Sequence, residues 1–325
     1  MTLSHRLLVG TIGEGVFRSL DGGESFSRAA DGMFVECHVR ALTAHPRNPR
    51  IIYLGSEQGL FRSVDGGDLW SRVESPLDGL QIWSILLPSH APDTIIAGTC
   101  PSRVFRSTDA GRNWIEGPAQ IRQECPRIMH TRVTSLLVDC DLPETIWAGV
   151  EIDGLFRSTD SGQSWQHIGQ GLSSLDIHAL AIAPGTGGSK QLLAATNNDL
   201  NMSRDGGESW QPLQIGEKVR WSYCRSLAQV AGRPHIVLLG IGNGPPGSEG
   251  AIARSTDAGT TWVLAEMPAR ANSTIWTFAV HLADPELIYA ASVSGEVYRS
   301  TDAGSSWTKL KREFGEIRAL TWTPD

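Results

Sequence analysis

The chain has 325 residues, the length of about two average domains or of one large all-β domain. Its 35 glycines, its 17 prolines and its 19% of charged residues exclude a coiled coil, a collagen and a disordered chain. No apolar run reaches the ~18 residues that a membrane helix needs. A net charge of −7 argues against a protein that binds nucleic acid through a basic face.

The predicted elements are short strands separated by turns. The first covers residues 7–11, and a complete unit of four strands follows at 39–44, 51–55, 60–63 and 70–73. Apolar residues alternate within these segments, whereas glycine, proline and asparagine separate them, which is typical of β-strands joined by tight turns. The last predicted strand covers residues 317–322 and has no partner strand after it.

One pattern, S-x-D-x-G-x-x-W/F, recurs seven times along the chain. Its aspartates are Asp21, Asp65, Asp109, Asp160, Asp205, Asp257 and Asp302. They are 44, 44, 51, 45, 52 and 45 residues apart. A period in the forties combined with strand patterning indicates the blades of a β-propeller, each a four-stranded antiparallel sheet.

The two ends of the chain complete this count. Seven full blades result only if the strand at 317–322 pairs with the strand at 7–11, which also removes exposed sheet edges. The sequence therefore predicts an all-β chain that forms one domain over residues 1–325. That domain is a single seven-bladed β-propeller closed by its N- and C-terminal strands.

The repeated turn resembles the Asp-box, or BNR repeat, of a known propeller superfamily. Similar boxes occur in sialidases, xyloglucan-cleaving glycosidases, sortilin-type receptors and photosystem II assembly factors. The resemblance covers nearly the whole chain. It implies the propeller fold but no particular function, because functions are grafted onto folds at particular sites. The box aspartate is expected to accept backbone N–H groups of its own turn, and the box tryptophan to pack between sheets.

An arginine stands just before the box serine in six of the seven units. These residues are Arg18, Arg62, Arg106, Arg157, Arg254 and Arg299, and Met202 takes the place in the fifth unit. A residue repeated in this way is expected to serve the blade or its surface.

The first strand of each predicted blade contains a pair of apolar residues. When the seven first strands are aligned on this pair, one position just before it stands out, which we call the ring position. Its residues are Arg40, Trp83, Thr134, His178, Arg225, Trp276 and Arg318. We expect them to surround the mouth of the central channel, where ligand sites concentrate. Arginine matches the geometry of carboxylate and phosphate groups, and tryptophan offers a flat stacking face. The pattern predicts an anion-binding pocket in which Arg40, Arg225 and Arg318 hold the ligand. Trp83 and Trp276 would form its walls, with Trp221 added from a loop.

Several loop residues extend this hypothesis to catalysis of hydrolase or lyase type. His178 is the first candidate for proton transfer because its ordinary pKa lies near neutrality. Glu57, Glu151 and Asp153 are candidate general acids or bases. Tyr223 is a rough analogue of the tyrosine found in sialidase sites, although this chain lacks the F-R-I-P segment and the six blades of that family.

Two other functions stay open. His38, His130 and His178, together with Cys37, Cys125 and Cys224, could hold a transition metal, although they lack close ligand spacing. No cofactor is identified from the sequence. The alternative is a non-catalytic, protein-binding scaffold that resembles the photosystem II assembly factor, with its partner on the same face. Five scattered cysteines and no visible signal peptide favour a cytoplasmic protein, with neither nucleic acid nor membrane as a partner.

Overall fold

The computed structural model describes residues 4–117 and 120–325, and it forms seven four-stranded antiparallel sheets. From the channel outwards, the first blade contains Ile317–Pro324, His5–Thr11, Val16–Ser19 and Ser27–Arg28. The second contains Ala41–His45, Asn48–Ser56, Gly59–Ser63 and Ser71–Arg72. The third contains Gln81–Leu86, Ile95–Cys100, Val104–Ser107 and Ile115–Glu116. The fourth contains Arg132–Val138, Ile146–Glu151, Gly154–Ser158 and Gln166–Ile168.

The other three blades repeat this order. The fifth contains Ile177–Pro184, Lys190–Thr196, Leu200–Ser203 and Gln211–Pro212. The sixth contains Tyr223–Val230, Arg233–Gly242, Gly250–Ser255 and Val263–Leu264. The seventh contains Ile275–Ala279, Ile288–Ser292, Val297–Ser300 and Thr308–Lys309. A hairpin of Glu124–Cys125 and Met129–His130, the helix Ile215–Val219 and the 3₁₀ turn Thr186–Gly188 lie between strands. The predicted seven-bladed propeller is confirmed.

The first blade is built from both ends of the chain. The strand His5–Thr11 pairs antiparallel with Ile317–Pro324, and Leu7 faces Trp322 in this register. Ile317 and Trp322 are almost fully buried. The predicted closure of the ring by these two segments is therefore present.

Three hydrogen bonds of the repeated turn recur in all seven blades: serine Oγ to aspartate, glycine N–H to serine Oγ, and a following N–H to aspartate. A side-chain donor to the aspartate is lacking in the second blade, where Leu69 stands. In the fourth blade, Ser158 Oγ donates to Asp160 Oδ1 at 2.7 Å, and the Gly162 N–H donates to Ser158 Oγ at 2.8 Å. The N–H and Oγ of Ser164 both donate to the Asp160 carboxylate. Each aspartate is thus occupied by its own turn, as expected for a structural role.

Four of the repeated arginines, Arg18, Arg157, Arg254 and Arg299, connect their blade to the turn of the next blade. Arg157 Nη2 lies 2.6 Å from Glu208 Oε1, and Arg254 Nε donates to the carbonyl of Ala303. Arg299 Nη1 donates to the carbonyl of Gly22, which joins the last blade to the first. These contacts place the four arginines between blades and outside the channel.

A glycine on the second strand lets neighbouring blades approach closely near the channel. The pairs across the interface are Gly10 with Val39, Gly55 with Ile82, Gly98 with Val133, Gly149 with Ile177, and Gly240 with Ile275. A Cβ at Gly98 would lie 2.4 Å from Ser84 Oγ and 2.5 Å from Val133 Cγ1. Real atoms do not tolerate such distances, so the interface requires glycine there.

We expect Gly98→Ala to destabilise the protein because the added methyl group overpacks this interface. A cost of roughly 1–3 kcal/mol would lower Tm by several degrees. Thermal unfolding followed by circular dichroism measures the change. Gly315→Ala is the matched control, since a Cβ there meets only Glu14 Oε2 at 3.4 Å. An equal Tm for the two variants would contradict the packing argument.

Candidate functional site

All seven ring-position residues line one cavity of about 290 Å³ in the centre of the propeller, here called the channel cavity. They are Arg40, Trp83, Thr134, His178, Arg225, Trp276 and Arg318. Sequence alignment of the first strands therefore brought together the residues that the fold brings together. Whether they bind a ligand is a separate question.

A β-bulge directs these side chains inwards. In six blades the pairing with the neighbouring strand shifts by one residue at the ring position, so the ring residue has no Cα partner there. For example, Ile177 pairs with Thr196 and Ala179 pairs with Ala195, which leaves His178 unpaired between them. A bulge of this kind changes the direction of one side chain relative to the pleat. The bulges thus provide six inward positions, and Arg40, just before the strand Ala41–His45, takes the seventh place around the cavity.

The arginines and tryptophans of the ring are stacked against each other. The guanidinium carbon of Arg225 lies 3.7 Å from the centre of the Trp276 ring, and that of Arg318 lies at 4.1 Å. Trp83 has Arg40 at 4.7 Å and Arg132 at 4.5 Å. Cation–π contacts of this kind gain strength when they are shielded from water. The indoles hold the guanidinium groups in place.

Burial makes these cations unusual. Arg225 is only 8% exposed, and burial lowers its pKa. Burial and the neighbouring charge of Arg225 lower the pKa of Arg318 to about 10, although Glu316 forms an ion pair with it. Burial and the charge of Arg132 lower the pKa of Arg40. In the part of the chain that is described, neither Arg225 nor Arg40 has a carboxylate oxygen within 4.0 Å.

A larger cavity of about 1220 Å³, here called the mouth cavity, lies above the channel cavity. His178, Arg225, Trp276 and Arg318 line both. The charged residues of its wall are Arg122, Arg127, Arg132, Arg225, Arg318, Glu151, Asp176 and Glu316. Five arginines against three carboxylates give this wall a positive balance in a protein that is negative as a whole.

His178 is the most constrained of the polar groups. Its side chain is 2% exposed, and its Nδ1 lies 2.7 Å from the carbonyl oxygen of Cys224. Its Nε2 lies 3.4 Å from Asp176 Oδ1. The Tyr223 ring is 5.1 Å away, and burial raises the pKa of its hydroxyl.

The other predicted site residues are spread over different surroundings. Glu151 and Tyr223 line the mouth cavity, whereas neither Glu57 nor Asp153 is among the residues of its wall. Glu57 accepts the N–H of His38, and Asp153 accepts the N–H of Arg122. These two carboxylates therefore support loops beside the mouth.

The predicted third aromatic wall and the predicted metal ligands also differ in placement. Trp221 packs against the hydrophobic cluster between the fifth and sixth blades, with Arg220 over its ring, and is outside the mouth-cavity wall. Over residues 4–117 and 120–325, the group of three close metal-binding side chains is Glu151, Asp176 and His178. Neither His38 nor His130 belongs to that group, and Cys37, Cys125 and Cys224 are buried free thiols.

Three further residues of the site were not predicted from the sequence: Arg132, Asp176 and Glu316. Each stands two residues before a ring position, and each contacts a ring side chain: Arg132 lies over Trp83, Asp176 faces His178, and Glu316 pairs with Arg318. Side chains two apart on a strand point the same way. A second alignment column, two residues earlier, would have found them.

No protein-family model matches the chain, and no curated protein matches it. Solved structures are similar in fold. YCF48 bound to D1 peptide is 14% identical, with a TM-score of 0.56, over 84% of this chain and 81% of that one. An ancestral GH74 enzyme is 17% identical, with a TM-score of 0.58, over 97% of this chain and 54% of that one. The computationally designed Ika8 protein is 11% identical, with a TM-score of 0.60, over 96% and 86%.

These comparisons support the seven-bladed propeller and, at such identities, nothing beyond the fold. The chain spans about half the length of the ancestral GH74 enzyme. No helix in the described ranges is both long and apolar enough to span a membrane.

Proposed function

We propose that the mouth of the channel binds a ligand that bears a carboxylate or phosphate group. Arg225 and Arg318 would be its principal contacts. The observation that carries this proposal is Arg225, a buried guanidinium group with no carboxylate within 4.0 Å among the described residues. A buried guanidinium group without a direct ion pair is costly. The attraction of Glu151 and Asp176 offsets this cost only in part, so an anion from outside would stabilise Arg225.

Unpaired polar atoms around the mouth support the same proposal. The Nε atoms of Arg40 and Arg132 are buried and have no hydrogen-bond partner among the described residues. Guanidinium groups bind anions through such in-plane N–H groups, which stay available when the flat face is stacked on an indole. The stacking therefore fixes the position of each guanidinium group beside the cavities.

The size of the mouth cavity favours a second candidate, an acidic peptide segment of a protein partner. About 1220 Å³ is more than a small anion fills and slightly above the usual range for small-molecule pockets. The neighbour YCF48 was solved with a peptide, and a fold alone does not transfer that function. Hydrolase or lyase chemistry on the bound ligand stays a hypothesis, with His178, Glu151 and Tyr223 as the predicted catalytic residues that line the mouth cavity.

Calorimetric titration tests the proposal. The protein is first treated with a chelator, so that no bound metal contributes to the binding of the anion. The probes are inorganic phosphate, sulfate, acetate and a short acidic peptide with a free C-terminal carboxylate. We expect Arg225→Gln and Arg318→Gln to weaken binding by roughly 10- to 100-fold, since each removes charge-assisted hydrogen bonds. Arg112→Gln, an exposed arginine of a box turn, is the control. Equal affinity for all four proteins would overturn the proposal, and binding of the peptide alone would favour the scaffold function.

A further inference from the structure

We propose that Glu151, Asp176 and His178 form a site for a divalent transition-metal ion, with Zn²⁺ as the first choice. One potential ligand atom from each residue lies within 4.8 Å of the other two. The three residues come from the second strand of the fourth blade, the loop before the fifth blade and the ring position of the fifth blade. This site goes beyond the anion-binding function and differs from the metal site predicted from sequence.

The tautomer of His178 provides the first argument. A carbonyl oxygen only accepts, so Nδ1 must donate its proton to Cys224 at 2.7 Å. In the neutral ring Nε2 then carries a lone pair and no proton, and this atom faces Asp176 Oδ1 at 3.4 Å. Two acceptors facing each other repel, so either a proton on Nε2 or a metal ion must lie between them. A histidine whose other nitrogen donates to a backbone carbonyl is also the usual arrangement of a metal ligand.

The distance between these acceptors provides the second argument. Zinc binds histidine nitrogen and carboxylate oxygen at about 2.0–2.2 Å, so two ligands at a tetrahedral angle stand roughly 3.3–3.5 Å apart. The separation of 3.4 Å between His178 Nε2 and Asp176 Oδ1 falls in this range. Asp176 Oδ1 is buried and has no hydrogen bond among the described residues.

Two cations, Arg132 and Arg225, already interact with these carboxylates, so a bound metal ion would compete with them. The two carboxylates balance a charge of +2. Arg132 Nη1 lies 3.1 Å from Glu151 Oε2, and this carboxylate has a second oxygen that remains for a metal. Three protein ligands leave one tetrahedral position open, as in catalytic zinc sites.

All three ligands line the mouth cavity, so the open position is accessible to a ligand held there. In this site His178 acts as a metal ligand, and not as the proton-transfer group expected from sequence.

Metal uptake by the intact chain tests the inference. Chelator-treated protein is dialysed against Zn²⁺ or Mn²⁺ in phosphate-free buffer, and bound metal is measured by mass spectrometry. We expect about one equivalent of metal per chain in the wild type. Asp176→Asn and His178→Ala should weaken binding by more than the 10- to 100-fold that loss of a supporting residue costs.

His38→Ala is the matched control, since His38, like Asp176, stands two residues before a ring position. It should bind metal like the wild type. The isosteric Asp176→Asn variant and its circular dichroism spectrum separate loss of a ligand from loss of folding. Absence of bound metal in the wild type would overturn the inference and indicate a proton between His178 and Asp176. Equal uptake by all variants would overturn it as well. Because anion binding is measured on metal-free protein, either result leaves that proposal to its own test.

Discussion

A chain that ends at residue 316 is expected to lose its cooperative thermal unfolding and to aggregate. This deletion removes the innermost strand of the first blade, which pairs along the whole of His5–Thr11. Ile317, Leu320 and Trp322 are each at most 5% exposed. Burial of three such side chains contributes roughly 5–9 kcal/mol, which is comparable to the total stability of an ordinary domain.

Circular dichroism melting and size-exclusion chromatography measure this loss. A synthetic peptide of residues 317–325, added in trans, should restore part of the melting transition because it re-forms the missing ladder. Deletion of Asp325 alone is the control, since it removes only the ion pair with Arg6 and a few terminal hydrogen bonds. A truncated chain that melts like the wild type would show that six blades and an incomplete seventh are sufficient.

Acid is expected to unfold the protein as the pH falls from about 4 towards 2. Hydrogen bonds from the side chain and backbone of Ser164 lower the pKa of Asp160 to about 2, and those from Asn113 do the same for Asp109. The pKa is lowered in the other five box aspartates too. A carboxylate with a folded-state pKa below its unfolded value of about 3.9 stabilises the fold above that value. The contribution is lost as the pH falls through the folded-state pKa.

The free energy of unfolding, measured by urea titration at several pH values, checks this expectation. Asp160→Asn removes one of the seven titrating groups, so its unfolding should take up about one proton fewer in this range. Ser164→Ala removes a donor to Asp160 and should move part of the loss to higher pH. Asp31→Asn, an exposed carboxylate outside the box turns, should leave the slope unchanged. A wild-type stability that stays constant between pH 4 and 2 would contradict the role of the boxes.

The sequence was sufficient for the architecture because each blade repeats a local signal. The seven box aspartates and the unpaired segment at 317–322 together required seven blades and closure between the ends. The ring position was found for the same reason, since the apolar pair beside it recurs in every first strand.

The interactions within the site could not be read in this way. The stacking of Arg225 and Arg318 on Trp276 depends on the β-bulges, because these set the direction of each side chain. A bulge is visible only in the pairing of neighbouring strands, which the residues of one strand do not show. Arg132 and Asp176 could not be predicted because they stand outside the aligned position, two residues before it, whereas in the structure each contacts a ring side chain. Trp221 was predicted beside the ligand because it is an aromatic residue in a long loop. In the structure it packs instead against a core formed by a small helix and the sixth blade.

The closing strand also determines when this chain can finish folding. Residues 5–11 leave the ribosome early, and their partner at 317–324 follows more than three hundred residues later. At about 5–20 residues per second, this delay lasts roughly 15–60 s. Throughout that time one ladder of backbone groups on the first blade has no partner, and an unpaired strand edge of this kind can pair with another chain.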